Sequence, residues 1–404
     1  MRKVLLVIPE LSYKSNDFVK AAKKLNIPFS IITDSQQISE KLTDNIFISD
    51  FSLEVPQKLL EKLHDITHVL PVDHSSLRYA SKLTDLLNAT GNNFDSVNLA
   101  MDKYRSRNIF NEITNIRIEN QYVNNINDIE SFIATSKIGV LKPTKGTASN
   151  KVIKISTENV NSLLIKNIIK DCKQDELVIE EFIDGDEYAY EGMLINSELS
   201  NFVVFEKPLV FVEPFFEESI YMTPSNLNEA IIDEVKDRIQ MACKKMGLAN
   251  GPIHAEFKVI NNEIFIIEIN PRMIGGLCSR CLSFGLFKQS LEELILFAFS
   301  TGTFKKLELL NKYVGVLMLP VPKTGKFVSI NEEEIMEIEN VSAVDITVSR
   351  NTYLEMPPNG EKYLGFVFSQ GEYKTNVMKA LETSLEIASP IIEAKSMITF
   401  NKYE

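Results

Sequence analysis

Cysteine, histidine and long apolar runs are scarce in this sequence, and each scarcity narrows what the chain does. Four cysteines (Cys172, Cys243, Cys278 and Cys281) in 404 residues make no disulfide framework. Only Cys278 and Cys281 lie close together, and a structural zinc would need two further ligands. The four histidines (His64, His68, His74 and His254) have no spacing that supplies them, so the thiols are expected to be buried or half-buried and to hold no metal. No stretch approaches the roughly 18 apolar residues of a membrane span. Met1-Arg2-Lys3 leads into a short apolar segment without a signal-peptide cleavage pattern, so a cytoplasmic protein is expected. Basic excess is missing as well. A formal net charge of -12 argues against a non-specific nucleic-acid or anionic-membrane surface, and any phosphate must be bound locally.

Familiar nucleotide signatures are also missing. The first apolar run, Val4 to Ile8, is followed by Pro9-Glu10-Leu11-Ser12 where a dinucleotide-binding unit would carry its glycines, and no Walker spacing occurs. There is no Ser/His/Asp arrangement, no internal repeat and no low-complexity tract.

What is present is an ordinary globular composition, 44% apolar and 24% charged, long enough for two or three cores. Strand and helix patterns alternate through the first hundred residues: Val4 to Ile8, a helix over Asp17 to Leu25, Phe29 to Ile32, Asn45 to Ile48, a helix near Pro56 to Leu63, His68 to Val72, and a helix over Ser75 to Leu87. That alternation predicts a parallel α/β unit. From Asp102 a helix (Lys103 to Glu112) gives way to short β-branched strands as far as about Pro271. A third segment follows Thr303, with strands at Val314 to Leu319, Val344 to Ser349 and Leu364 to Phe368, a turn at Pro357 to Gly360, and a helix over Asn376 to Ile387.

The most informative stretch is Ile253 to Arg272. Polar residues fall at even numbers (His254, Glu256, Lys258) and apolar ones at odd numbers, and Glu268, Asn270 and Arg272 continue the even set. Two antiparallel strands keep one polar face if the loop is odd in length, and Asn261-Asn262-Glu263 supplies three residues. This pairing sets Glu256 opposite Glu268. Opposed residues have Cβ atoms about 4.5–5.5 Å apart, where two like charges destabilise a sheet unless a cation lies between them. Two carboxylates, the Asn270 amide oxygen and phosphate oxygens suit Mg²⁺ (or Mn²⁺), and Arg272 on the same face is placed to neutralise a transferring phosphoryl group.

Two further stretches can meet a nucleotide. Val140 to Val152 reads as strand, small-residue turn and strand, with Gly146 and Ser149 in the turn facing phosphates and Lys142 offering them a point charge. Glu176 to Ile183 is an apolar strand whose end can pair with adenine through the backbone of Glu181 and Ile183 and the carboxylate of Glu180, with Glu187 accepting from ribose. The mixed aromatic and charged segment from Glu206 and Lys207 to Tyr221, including Phe211, Phe215, Phe216, Glu217 and Glu218, is a candidate acceptor pocket. His254 is expected to be structural, and Arg280 is a candidate to pair a substrate carboxylate.

In order and approximate spacing, Lys103, Lys142 with its Gly146 loop, Glu180-Glu181-Phe182-Ile183 with Glu187, and Glu256, Glu268, Asn270 and Arg272 resemble the ATP-grasp superfamily. The resemblance implies an ATP-grasp fold, α/β and α+β, divided into an N-terminal parallel α/β (pre-ATP-grasp) domain at 1–100, an ATP-grasp domain at 101–305 with a lid at about 115–185, and a C-terminal α+β domain at 306–404. It also implies Lys103 and Lys142 near the phosphates of ATP. Glu268-Ile269-Asn270-Pro271-Arg272 followed by Gly275-Gly276 looks most like the amino-acid and related carboxylate–amine ligases, while the last segment looks like the C-terminal domain of biotin-carboxylase-like members. The expected partners are therefore a small carboxylate and an amine, with Lys207, Gly275, Gly276 and Arg280 as candidate substrate residues, and a homodimer is the expected assembly. A bicarbonate-activating enzyme and a non-catalytic ATP-binding regulator are the alternatives.

Overall fold

The structure is a computed structural model that describes residues 2–10, 12–35, 45–114, 116–146, 149–173, 176–208, 214–216, 219–310, 312–357 and 362–393. Its N-terminal unit is the parallel sheet that the alternation predicts, with strands in the order Ile46–Ile48, Phe29–Thr33, Val4–Val7 and His68–Pro71. Val4 through Ile8 are fully buried, as expected of a strand covered on both faces. Helices Ser15–Lys24 and Leu77–Leu87 help to cover it, the first burying Phe18, Val19, Ala21 and Ala22. The first and last of these strands run side by side and end together, Val7 beside Pro71. The residues just past their carboxyl ends, Ser12 to Lys14 and Asp73-His74, therefore come out at one edge, the usual ligand edge of a parallel sheet.

A second, antiparallel sheet has the order Asn120–Val123, Leu177–Glu181, Ile138–Pro143 and Ile153–Ser156. Helices Ile126–Ser136 and Leu163–Asp171 close its apolar face over Leu141, Ile153, Ile155 and Ile179. Both helices start where the sequence supplies caps. The Asn125 side chain accepts from the Asn127 N–H and Ser162 from the Ile165 N–H, satisfying donors that a helix leaves unpaired.

The largest sheet has eight strands, in the order Glu263–Asn270, Gly251–Ile260, Asp186–Ile195, Glu198–Glu206, Ile220–Thr223, Tyr313–Leu319, Gly365–Gly371 and Val341–Ile346. Helix Glu229–Met246 packs on one face through Val235, Ile239, Ala242 and Met246. The other face packs on the N-terminal unit and on residues 273–299, so that Leu6, Phe205, Leu282, Phe299 and Phe368 share one core. Each such side chain contributes about 1.5–3 kcal/mol on burial.

The sheet runs without a break across the boundary expected at 305/306, because Ile220–Thr223 pairs with Tyr313–Leu319. The strand expected at 344–349 is shifted to Val341–Ile346, and the last helix begins earlier, at Lys374. Gly325–Ser329, unmarked in the sequence reading, is the centre of a small sheet with Tyr353–Leu354 and Ile391–Glu393. Pro358-Asn359-Gly360 lies outside the described residues. Among the described residues no helix is long and apolar enough to cross a membrane.

Candidate active site

The hairpin Gly251–Ile260 and Glu263–Asn270 places Glu256 directly opposite Glu268, as its alternation predicts, but by a different construction. The loop is two residues long, not three. Ile260 pairs with Glu263, and Asn261 and Asn262 both take the left-handed conformation, with φ of 51° and 67°. Parity is restored by a bulge: Phe257 opposes Ile266 while Glu256 opposes Glu268, leaving Ile267 as the extra residue. In consequence Ile267 and Glu268 both line one cleft, an apolar side chain next to an acid.

Lysines flank the opposed acids. Lys103 Nζ lies 3.7 Å from Glu268 and donates to the Gly146 carbonyl at 2.9 Å, while Lys207 Nζ lies 3.6 Å from Glu256 and pairs closely with Glu187. Lys258 sits 3.6 Å from Glu187 and donates to the Ile183 carbonyl at 3.0 Å, over the Phe182 ring. Asn270 is buried; it does not line the cleft and reaches the site through its side-chain amide, which donates to Glu268 at 2.6 Å. Among the described residues no three His, Cys, Asp or Glu side chains gather as a metal site. What the hairpin offers a cation is two carboxylates, hard oxygen donors that fit Mg²⁺ completed by phosphate oxygens.

Behind this wall lies a tighter cluster. Glu180 accepts from Arg107 Nε at 3.1 Å and from Lys142, and Arg107 also donates to the backbone carbonyls of Ile266 and Ile267 at 2.7 and 3.4 Å. Burial would raise the Glu180 carboxyl, but Arg107 and Lys142 together outweigh it and hold it at about 2. Burial lowers the Lys142 ammonium, only partly opposed by Glu180. Arg107 was missed by the sequence reading. The available signal was its position one helical turn after Lys103, on the same face. Both Glu180 oxygens accept from these two cations, and the residue also lines the cleft.

At the other end of the cleft, Arg272 is buried and donates from Nη1 to the Met273 carbonyl at 2.8 Å, while its Nε–H has no hydrogen-bond partner. His254 proves to be part of the charged network. Its Nδ1 meets Glu191 at 2.5 Å and its Nε2 lies 3.5 Å from Glu256. Burial would lower its pKa, but Glu191 reverses this and raises it to about 9, so the ring is an imidazolium at neutral pH. Glu191 in turn accepts the Ile274 N–H at 2.9 Å, tying the network to the turn after Arg272.

Of the residues expected at the site, the cleft gathers Lys103, Lys142, Gly146, Ser149, Glu180, Glu181, Ile183, Glu187, Lys207, Glu256, Glu268, Arg272, Gly275 and Gly276. It does not gather Arg280. That guanidinium is held by Asp17 at 2.8 Å and Asp345 at 2.7 Å, tying the N-terminal helix to the edge strand of the large sheet. Phe216 reaches the cleft, whereas Phe211, Glu217 and Glu218 lie outside the described residues. Tyr13, Asp73, His74, Met318, Tyr363 and Phe366 also line it, none of them flagged by a local pattern.

Two antiparallel sheets meeting over a cleft of paired acids and lysines, with a parallel α/β unit at one end, define the ATP-grasp class of fold. Residues 136–281 match the family described as ATP-grasp domain, and the chain is similar to carboxylate–amine ligases of that superfamily. The alanine–anticapsin ligase of Bacillus amyloliquefaciens is 26% identical over 343 residues, 68% of this chain and 70% of that protein. An uncharacterized protein of Sinorhizobium fredii is 23% identical over 294 residues, 68% of this chain but 59% of that protein, so the match spans less than two thirds of that relative. Among solved structures, an L-amino acid ligase from Bacillus licheniformis superposes with a TM-score of 0.81 at 18% identity, covering 97% of this chain and 99% of that one.

Proposed function

We propose that this protein is an ATP-dependent, ADP-forming ligase that joins a small carboxylic acid to an amine through an acyl-phosphate. The observation that carries the reading is the opposed pair Glu256 and Glu268, with Arg272 lining the same cleft. Glu256 and Glu268 would hold Mg²⁺, with Asn270 orienting Glu268. When bound, the metal supplies charge neutralisation of the β- and γ-phosphates.

A carboxylate oxygen attacks the γ-phosphorus, and the bond from phosphorus to the β,γ-bridging oxygen breaks to release ADP. The amine nitrogen then forms a bond to the acyl carbon and loses a proton, and the carbon–oxygen bond breaks to release phosphate. The chain's part is positioning and charge. Lys103 and the Gly146 and Ser149 turn meet the phosphates, Lys142 adds its charge from the Glu180 cluster, and Arg272 steadies the carboxylate and the acyl-phosphate. Glu181 and Ile183 offer backbone groups to adenine beside Ile267, and Glu187 accepts from ribose. Glu180 acts by fixing Lys142 and Arg107.

The test is phosphate release from Mg-ATP with pooled amino acids, in wild type and Glu268→Ala. Release that requires an acid and falls about 10²–10³-fold in the variant is expected. Release without any acid, or unchanged in the variant, contradicts the reading, and release driven by bicarbonate alone replaces it with a carboxylase.

A further inference from the structure

Past Arg272 the cleft wall becomes apolar, and it is built from parts of the chain that the proposed ATP site does not use. Tyr13 comes from the segment after the first parallel strand, Met318 from the large sheet, and Tyr363 and Phe366 from the turn and strand beside it. Tyr13 meets the Phe366 ring edge-on, with centroids 6.1 Å apart, and Tyr363 lies 6.3 Å from the same ring. Phe366 and Met318 are fixed by packing, at 1% and 2% exposure, while Tyr13 stands at the rim with 37%. Gly276 makes room for this wall. A Cβ there would sit 2.7 Å from the Phe366 ring, and its φ of +54° is one that other residues rarely adopt.

Polar groups at this end are few. Arg272, at 8% exposure, lines the cleft, and its buried Nε–H has no partner. His74 also lines the cleft. Its burial, with Arg272 and Lys103 nearby, lowers it to about 3 and keeps the ring uncharged. Asp73 is already engaged by Lys14 at 3.1 Å and by the Ser12 hydroxyl at 2.6 Å. The Arg272 guanidinium is a cation in the cleft wall, and it favours an anionic group on the ligand, a carboxylate above all. A second carboxylate in that ligand's side chain would be desolvated against aromatic rings, and a methyl group would leave those rings uncovered.

Resting on the ligase reading, we propose that this end of the cleft seats the acid to be activated, and that this acid carries a bulky, preferentially aromatic side chain. Its carboxylate pairs with the Arg272 guanidinium, next to the position given to the γ-phosphate, and its side chain packs between Tyr13, Tyr363 and Phe366.

The sequence provides a direct probe. The chain contains no tryptophan, so the emission of L-tryptophan added to the full-length protein with Mg²⁺ and a non-hydrolysable ATP analogue reports its own burial. A saturable blue shift is expected, reversed by L-phenylalanine and not by L-alanine or L-glutamate. Tyr363→Ala and Tyr13→Ala, checked for unchanged melting, should each weaken binding about threefold to tenfold. In turnover, kcat/KM for ADP formation with L-phenylalanine should exceed that with L-alanine or L-glutamate by about tenfold or more. ADP formation that favours alanine or glutamate, with no tryptophan shift, overturns the inference and leaves the ligase reading standing. No ADP formation with any acid sinks the ligase reading and the acyl-donor seat with it.

Discussion

The two sheets that face each other across the cleft hold their charges in opposite ways. On the small sheet, Glu180 is 4% exposed and accepts from both Arg107 and Lys142, and Arg107 also donates to the backbone of the facing hairpin. On the hairpin, Glu256 and Glu268 stand opposite each other, and their lysines stay 3.6 and 3.7 Å away. The first arrangement pairs one acid with two cations, whereas the second places two like charges together in the cleft wall, with His254 3.5 Å from Glu256 and Asn270 donating to Glu268. The contrast separates a cluster that joins the two sheets from a pair that, on the proposed function, holds a cation and phosphates.

Removing charge from the closed cluster should damage the fold. Glu180→Gln leaves Arg107 and Lys142 buried without their anion and is expected to cost about 3–5 kcal/mol, read as a lowered urea midpoint. This cost depends on pH with a definite sign. The carboxyl is held at about 2 when folded against an ordinary value of 4.5, so the unfolded chain takes up its proton first as pH falls. The gap between wild type and variant should be full above about pH 4.5 and close toward pH 2. A gap that is absent at neutral pH, or independent of pH, would remove the contrast.

On the hairpin the same kind of change should do the reverse. Glu268→Ala is expected to lose about 10²–10³-fold in turnover. Its melting temperature should hold or rise, because one of two opposed like charges is gone. Loss of activity that follows unfolding would place both acids in one structural class. Ligand binding sharpens the point at a smaller scale. Mg-ATP at a hundredfold over its Kd should stabilise wild type by about 2.7 kcal/mol, and Glu268→Ala much less, as seen in thermal shifts. Smallest of all, Asn261→Ala must hold a left-handed turn without a side chain suited to it, at a cost of about 1–2 kcal/mol in the melt.

What could be read from the sequence followed from how local each signal is. The parallel unit was legible because its strands are apolar throughout and its helices periodic. The acid pair was legible because parity survives along two adjacent strands. The loop that produces the pairing was misread, since a two-residue Asn-Asn turn with a bulge at Ile267 gives the same alignment as a three-residue loop without one. Arg107 was overlooked because a basic residue within a polar helix looks solvated until its partner Glu180, 73 residues away, is in place. Arg280 was misplaced for the same reason, as its partners lie on Asp17 and Asp345. The apolar end of the cleft draws on residues from Tyr13 to Phe366, and no window of sequence contains it.

The acyl-phosphate is the centre of the account, and an isotope follows it directly. The acid found to support ADP release is supplied with both carboxylate oxygens replaced by ¹⁸O, together with its amine and Mg-ATP, and the released phosphate is analysed by mass. Attack of the carboxylate on the γ-phosphorus, then of the amine on the acyl carbon, leaves one ¹⁸O in each phosphate. That is the result predicted. Unlabelled phosphate alongside amide formation, or label appearing in AMP, would contradict it.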